Sequence, residues 1–327
     1  MEPGRPPLTA EEFARRVRAA TGAVLALEAR AGAVAAGPEA ARRAGRALAL
    51  RRHLGDRAAE PGGGADAALA ELAQVAGWLL FDAERHRAAH RFSRLALTLA
   101  RGCGERSVEH LVLATLSMQA AHLGRPDAAL RLARDVLDGP RLPARVAAVF
   151  RLREAGAHAL AGRRPDALRA LGRAGALVAE GPGPRDPAWA WWVDEDEVAG
   201  HAGLVHAGLG AWGRAVDTLT AAPGAPAGTT GFRALFDAQL LTAQLRAAAW
   251  HDATELATRL SGHAHVIGSA RATTLLERAA RTAAADPRPP GPLRDAARHL
   301  WTTLPSPYDG GTSGPCHTGP AEGSPLT

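Results

Sequence analysis

The stretch Ala121-His122-Leu123-Gly124-Arg125-Pro126-Asp127-Ala128-Ala129-Leu130 superposes without gaps on two later ones. These are Ala159-Leu160-Ala161-Gly162-Arg163-Arg164-Pro165-Asp166-Ala167-Leu168 and Ala207-Gly208-Leu209-Gly210-Ala211-Trp212-Gly213-Arg214-Ala215-Val216. A small residue lies seven positions before each central glycine: Ser117, Ala155 and Gly203. Five positions after it comes an alanine (Ala129, Ala167, Ala215), followed by an aliphatic residue (Leu130, Leu168, Val216). Weaker copies flank these three. Gly77 and Ala89 hold the small positions of an earlier one, with Glu84 in place of the glycine, and Ala253 holds the late position of a last one. The late alanines are spaced by 40, 38, 48 and 38 residues. A helix hairpin accounts for the pattern. The glycine ends the first helix in a left-handed cap. The small residues let two backbones approach closely. One hairpin cannot hide its apolar stripe alone, so neighbours stack on it and share a core.

The flanking sequence is also helical. Residues 1–8, rich in Pro and Gly, are expected to be disordered. Thr9 and Glu12 have capping-box spacing, and Phe13, Val17, Ala20, Val24 and Leu27 follow at helical intervals. Pro38 is expected in the first turn of a second helix that Gly55 ends. Residues 9–60 therefore read as N-terminal helices, bounded by Glu60-Pro61-Gly62-Gly63-Gly64. The repeat array occupies 64–285 with about five helix pairs, and Glu180–Pro187 is an inserted loop within its longest interval. A short helix is expected over 293–302, and a disordered tail over 303–327. No segment alternates with period two and is rich in Val, Ile or Tyr, so the expected fold is all-α.

Composition narrows the functional classes. The chain has 327 residues, 46% hydrophobic and 22% charged, enough for a large core. All 39 basic residues are arginine, and lysine and asparagine are absent. The residues with AT-rich codons are scarce together, which points to genomic bias rather than to selection for arginine chemistry. The net charge is +6, and residues 1–60 hold 11 arginines against 7 acids. The clusters Arg15/Arg16/Arg18 and Arg42/Arg43/Arg46/Arg51/Arg52 read first as solvated helix faces and second as a surface for phosphate or an acidic partner. Two cysteines, Cys103 and Cys316, exclude a disulfide framework and a four-cysteine zinc site. No long uncharged apolar run and no signal-peptide pattern is visible, so a cytoplasmic protein without a membrane partner is expected.

The repeat resembles the tetratricopeptide repeat, which places a small residue, a glycine and an alanine at this relative spacing. The resemblance covers about residues 64–262. The period is longer than that family's, and the early aromatic of each helix is replaced, for instance by Leu113, Arg151 and Ala199. It implies a tetratricopeptide-like helical-hairpin solenoid coiled as a right-handed superhelix. The strings Leu72-Ala73-Gln74-Val75-Ala76-Gly77-Trp78-Leu79-Leu80-Phe81-Asp82-Ala83 and Leu113-Ala114-Thr115-Leu116-Ser117-Met118-Gln119-Ala120 resemble the C-terminal sensory region of actinobacterial XRE-type helix-turn-helix regulators. Trp191-Trp192-Val193-Asp194-Glu195 before a helix fits the same group. No convincing helix-turn-helix precedes these segments. The resemblance thus implies the sensory half of a regulator without its DNA reader.

The groups with chemical potential have ordinary readings beside them. Gly208-x-Gly210-x-x-Gly213 spells a dinucleotide fingerprint, but it falls on a hairpin turn with no strand before it. His86 and His90, four apart, and His263 and His265 have metal-ligand spacing. The sequence ties no third ligand to either pair, so no metal site and no cofactor are expected. His158 and His206 take a core-facing position of the repeat. Asp194-Glu195-Asp196-Glu197, with His201 beyond, reads as helix capping before ligand contact or acid–base chemistry. Trp189, Trp191 and Trp192 read as packing for the inserted loop, or as a partner anchor. No nucleophile–base set is present, so catalysis is not expected.

The resemblance places the first helix of each pair on the concave face. Carrying its groove positions over gives Glu71, Gln74, Trp78, Phe81 and Asp82, then Met118 and His122, then Val149 and Leu152, then Glu197, and last Thr242 and Arg246. Gln74, Trp78, Phe81, Met118, His122, Glu197 and Arg246 are the candidate ligand- or partner-binding residues. The expected function is a non-catalytic regulatory module that binds a peptide, a small-molecule signal or a protein in this groove. A helix-turn-helix regulator acting in trans is one such partner. The alternatives are a DNA-associated regulator that uses the Arg-rich N-terminal helices, and an enzyme on a helical scaffold.

Overall fold

The computed structural model describes residues 8–55, 64–222 and 234–305. Among these the fold is all-α, with thirteen α-helices and no strand. In chain order the helices are α1 (Ala10–Leu54), α2 (Gly64–Asp82), α3 (His86–Cys103), α4 (Arg106–His122), α5 (Pro126–Leu137), α6 (Ala144–Leu160) and α7 (Arg164–Ala179). Then come α8 (Glu195–Gly208), α9 (Trp212–Ala221), α10 (Ala234–Arg246), α11 (Trp250–His263), α12 (Ala270–Ala285) and α13 (Gly291–Thr303). Each even-numbered helix from α2 packs on the odd one that follows, and α2, α4, α6, α8, α10 and α12 also pack on one another in succession. The expected disordered ends lie outside the described residues, apart from Leu8 and residues 303–305.

The glycine signature does what its spacing requires. Gly124, Gly162 and Gly210 all take φ +70°. At the first, the Gly124 N–H donates to Ala121 O and the Arg125 N–H to Ala120 O, at 3.0 and 2.9 Å. The same bonding recurs at Gly162 and Gly210, and each pair satisfies carbonyls that the helix end leaves open. The late alanines Ala129, Ala167, Ala215 and Ala253 are completely buried. Ser117, also fully buried, donates its hydroxyl to Ala129 O at 2.9 Å and so ties α4 to α5. At Gly203 an added Cβ would lie 2.3 Å from the Leu219 side chain of α9, so any side chain there would have to displace Leu219.

The N-terminal region departs from expectation in two respects. Thr9 caps α1 by accepting from the Glu12 N–H at 3.1 Å, but the Glu12 carboxylate pairs with Arg16 instead of completing the box. The break in α1 falls at Gly32, not at Pro38, which sits inside the second half of the helix. Gly32 has φ 72° and ψ 177°, a region only glycine occupies readily. The reason for the break lies far along the chain. A Cβ on Gly32 would stand 2.2 Å from Gly268 Cα, and the Val34 N–H donates to Gly268 O at 3.1 Å. The helix opens to accept backbone from the segment just before α12.

By length and composition α1 alone among the described helices is apolar enough to cross a membrane. Here its buried face, including Phe13, Val17, Val24, Ala36 and Ala40, packs on α2. At the other end, α13 begins at Gly291 with Pro292 in its first turn and buries Leu293, Ala297 and Leu300 beside α11 and α12. It makes a sixth pair with α12.

Two positive-φ glycines differ in both backbone region and surroundings. A Cβ at Gly124 meets nothing within 4 Å, so Gly124→Ala is expected to cost only the strain, about 1–2 kcal/mol in urea denaturation. Gly32→Ala meets both a backbone region that is essentially closed to alanine and the collision with Gly268. It is expected to lose clearly more stability and to speed hydrogen exchange at the Val34 amide.

Candidate functional site

The contact at Gly32 sets the first turn of α12 against the end of α2. The Ser269 hydroxyl donates to Asp82 Oδ1 at 2.9 Å, and Thr274 Oγ1 donates to Glu84 Oε2 at 2.9 Å. Arg271 Nη1 lies 3.6 Å from Asp82 Oδ1, and its guanidinium covers the Phe81 ring at 4.3 Å from the centroid. Both ions of this pair are buried, with side-chain exposures of 10% and 6%. Burial pushes the Asp82 carboxyl above its usual range, and Arg271 and Ser269 offset only part of that. Burial also raises Glu28 of α1, helped by the charge of Asp82. Residues almost 190 positions apart thus form one polar seam across α1, α2 and α12.

The seam continues along the row of even-numbered helices. Phe81 meets His122 edge-on at 5.4 Å, and His122 lies 5.3 Å from the His86 ring, centroid to centroid. Burial, with Arg271 and His86 nearby, pulls His122 down to about 4. On α6, Arg153 donates to Ala114 O at 3.2 Å and lies 3.3 Å from His201 Nε2. Burial pulls Arg153 down to about 10, against the Glu197 charge and with that of Arg271. His201 Nε2 is 3.1 Å from Glu197 Oε1. Six buried side-chain atoms on these helices have no hydrogen-bond partner among the described residues: Arg145 Nε and His158 Nδ1 on α6, Glu197 Oε2 and His206 Nδ1 on α8, Gln244 Oε1 on α10 and Arg271 Nε on α12.

The residues read from the sequence fall into separate groups. Phe81, Met118 and His122 come together, with Phe81 fully buried beneath Arg271 and Met118 packed on the same cluster. Glu197 is buried beside His201 and Arg153. Gln74 is buried in α2, and Trp78 packs half-buried on the α1–α2 core rather than on this seam. Arg246, exposed, lies over the Trp212 ring at 5.0 Å, on the α9 side of α10. Val149 and Leu152 are core residues, Thr242 is half-buried and Glu71 is exposed. Sequence reasoning missed Arg153, Ser269, Arg271, Thr274 and Glu28. The last four depend on a closing contact between distant segments, for which there was no local signal.

The remaining candidates take mostly structural places. Asp194 caps α8 by accepting from the Glu197 N–H at 2.9 Å. Gly210 is a hairpin turn after α8, which removes the dinucleotide reading. Trp189 donates to Ser107 Oγ at 2.9 Å and faces Trp192, which fastens the inserted loop to α4, whereas Trp191 is 74% exposed. His90, His263 and His265 are exposed. His86 joins Glu84 and His122 instead of His90, and these three place a ligand atom each within 4.8 Å of one another. Of the basic clusters, Arg42 and Arg43 pair with Glu39, Arg51 with Asp66 and Arg16 with Glu12. Cys103 is half-buried, and Cys316 lies outside the described residues. No family model, no curated protein and no solved structure matches this chain.

Two expected outcomes follow from the electrostatics. Arg271→Leu strands the buried Asp82 carboxylate and is expected to cost about 3–5 kcal/mol at neutral pH, most of it recovered in Arg271→Leu/Asp82→Leu. The second concerns His158, which is 3% exposed. Burial lowers it, opposed by Asp166 and Glu154 and aided by Arg134 and Arg163. The native state keeps this ring neutral where the unfolded chain takes up a proton, so its contribution is lost as pH falls below about 6.5. His158→Phe is expected to flatten the decline of the urea midpoint between pH 7 and pH 5.

Proposed function

We propose that the chain is a non-catalytic regulatory module, a tetratricopeptide-like solenoid whose concave face is the row α2, α4, α6, α8, α10 and α12. Its occupant is a peptide segment or a small signal that carries both an acceptor for the arginines and an apolar part. The observation that carries this reading is the run of unpartnered buried atoms on these helices, of which Glu197 Oε2, Gln244 Oε1 and Arg271 Nε lie on the successive helices α8, α10 and α12. Buried polar atoms seldom go without a partner, and an incoming polar ligand supplies one. Arg153 and His201 beside Glu197 add donors at the same place. The regulator-like strings favour a role in transcription in the cytoplasm, with the DNA reader supplied by a partner. The ion pairs already made by Arg16, Arg42, Arg43 and Arg51 leave less basic surface for phosphate than the sequence alone offers.

A thermal-shift screen of amphipathic peptides and small carboxylates tests the reading. At a ligand concentration 100 times its Kd, the expected stabilisation is about 2.7 kcal/mol. It is expected to fall sharply in Arg153→Met and in Glu197→Gln. A screen without any stabilising compound, or a stabilisation untouched by both substitutions, overturns the proposal.

A further inference from the structure

Glu84, His86 and His122 reach one point from three places in the chain. Glu84 lies in the turn after α2, His86 begins α3 and His122 ends α4. One ligand atom from each lies within 4.8 Å of the others. The turn that carries Glu84 sets it apart from the other hairpins. Gly104, Gly124, Gly162 and Gly210 hold the equivalent left-handed position at φ between 70° and 75°. Glu84 holds it at φ 56°, and Ala248 does so with the smallest side chain at φ 58°. A carboxylate therefore sits where glycine would relieve the backbone, an arrangement that collects at functional positions.

The surroundings fit ligands rather than a closed ion-pair cluster. His86 Nδ1 is buried and has no hydrogen-bond partner in the protein. Glu84 Oε2 is held by the Thr274 hydroxyl, while Oε1 stands 3.9 Å from His122 Nε2, too far for a hydrogen bond between them. The hydroxyl from α12 fixes the carboxylate as an outer partner fixes a metal ligand. Arg271 is a cation near His122, and Asp82 offsets its charge.

We propose that Glu84, His86 and His122 bind a transition-metal dication of the zinc class. Two imidazoles and a carboxylate suit zinc, cobalt or nickel, and three protein ligands leave a further coordination position open. The bound ion joins the α2–α3 turn to the end of α4, and through Thr274 it steadies α12. The proposal does not rest on a groove ligand.

The test uses tag-free full-length protein stripped of metal, titrated with Zn2+ and Co2+ by calorimetry and by Co2+ visible absorption. One ion per chain is expected, with a cobalt spectrum of low coordination number. His122→Ala and Glu84→Gly are each expected to weaken binding at least tenfold. Glu84→Gly relaxes the turn and gives up the Thr274 bond, opposing changes of similar size, so its metal-free melting temperature is expected to stay close to that of the parent protein, which separates lost binding from lost folding. His90→Ala, one helical turn from His86 and exposed, is expected to leave affinity unchanged. The proposal is overturned by the absence of one-to-one binding, or by binding that survives His122→Ala and Glu84→Gly unaltered.

Discussion

The backbone contact between Gly32 and Gly268 holds the architecture of the polar seam. Neither residue has room for a Cβ, since each would place one within 2.3 Å of the other's Cα. The contact breaks α1 in its middle and delivers the start of α12 to the end of α2. Ser269 and Arg271 then reach Asp82, and Thr274 reaches Glu84. Without this approach Asp82 would lie at the end of α2 with no cation beside it. The buried charges are therefore tolerable only because two segments more than 200 residues apart share a crossing too tight for any other residue type.

A second constraint acts locally and repeatedly. The turns at Gly124, Gly162 and Gly210 are superposable in their bonding, and the alanines that follow them have no exposed surface. Small side chains at these crossings bring each pair of helices close, and apolar residues such as Leu130, Leu219 and Leu256 fill what remains. Dispersion contacts at short range make up for the modest apolar area that each alanine brings. The scarcity of aromatic and isoleucine residues is thus compatible with a dense interior.

The local half of the fold was legible because its causes are local. Glycine at φ +70°, buried alanine five residues later and an acidic cap at Asp194 each act within a few residues of their own position. Pro38 misled because proline is a stronger local signal than glycine, whereas the real break answered to a distant partner. Of the candidate binding residues, the fold places some near one another and some apart. Phe81, Met118 and His122 do converge, because register along a repeat is periodic. Trp78 and Arg246 do not join them: α1 covers the side of α2 that carries Trp78, and Trp212 draws Arg246 toward α9. Arg271 and Thr274 lay beyond the reach of any local pattern, since their roles exist only once α12 meets α2.

The join between the two ends of the row bears on how such a chain can change over evolutionary time. Open arrays of helix pairs lengthen by duplication, each new unit needing only a neighbour to lean on. Here one extra pair would carry Gly268 away from Gly32, and one fewer would leave it short. A chain that gained or lost a pair would therefore have to remake this crossing or give up the buried charges that depend on it.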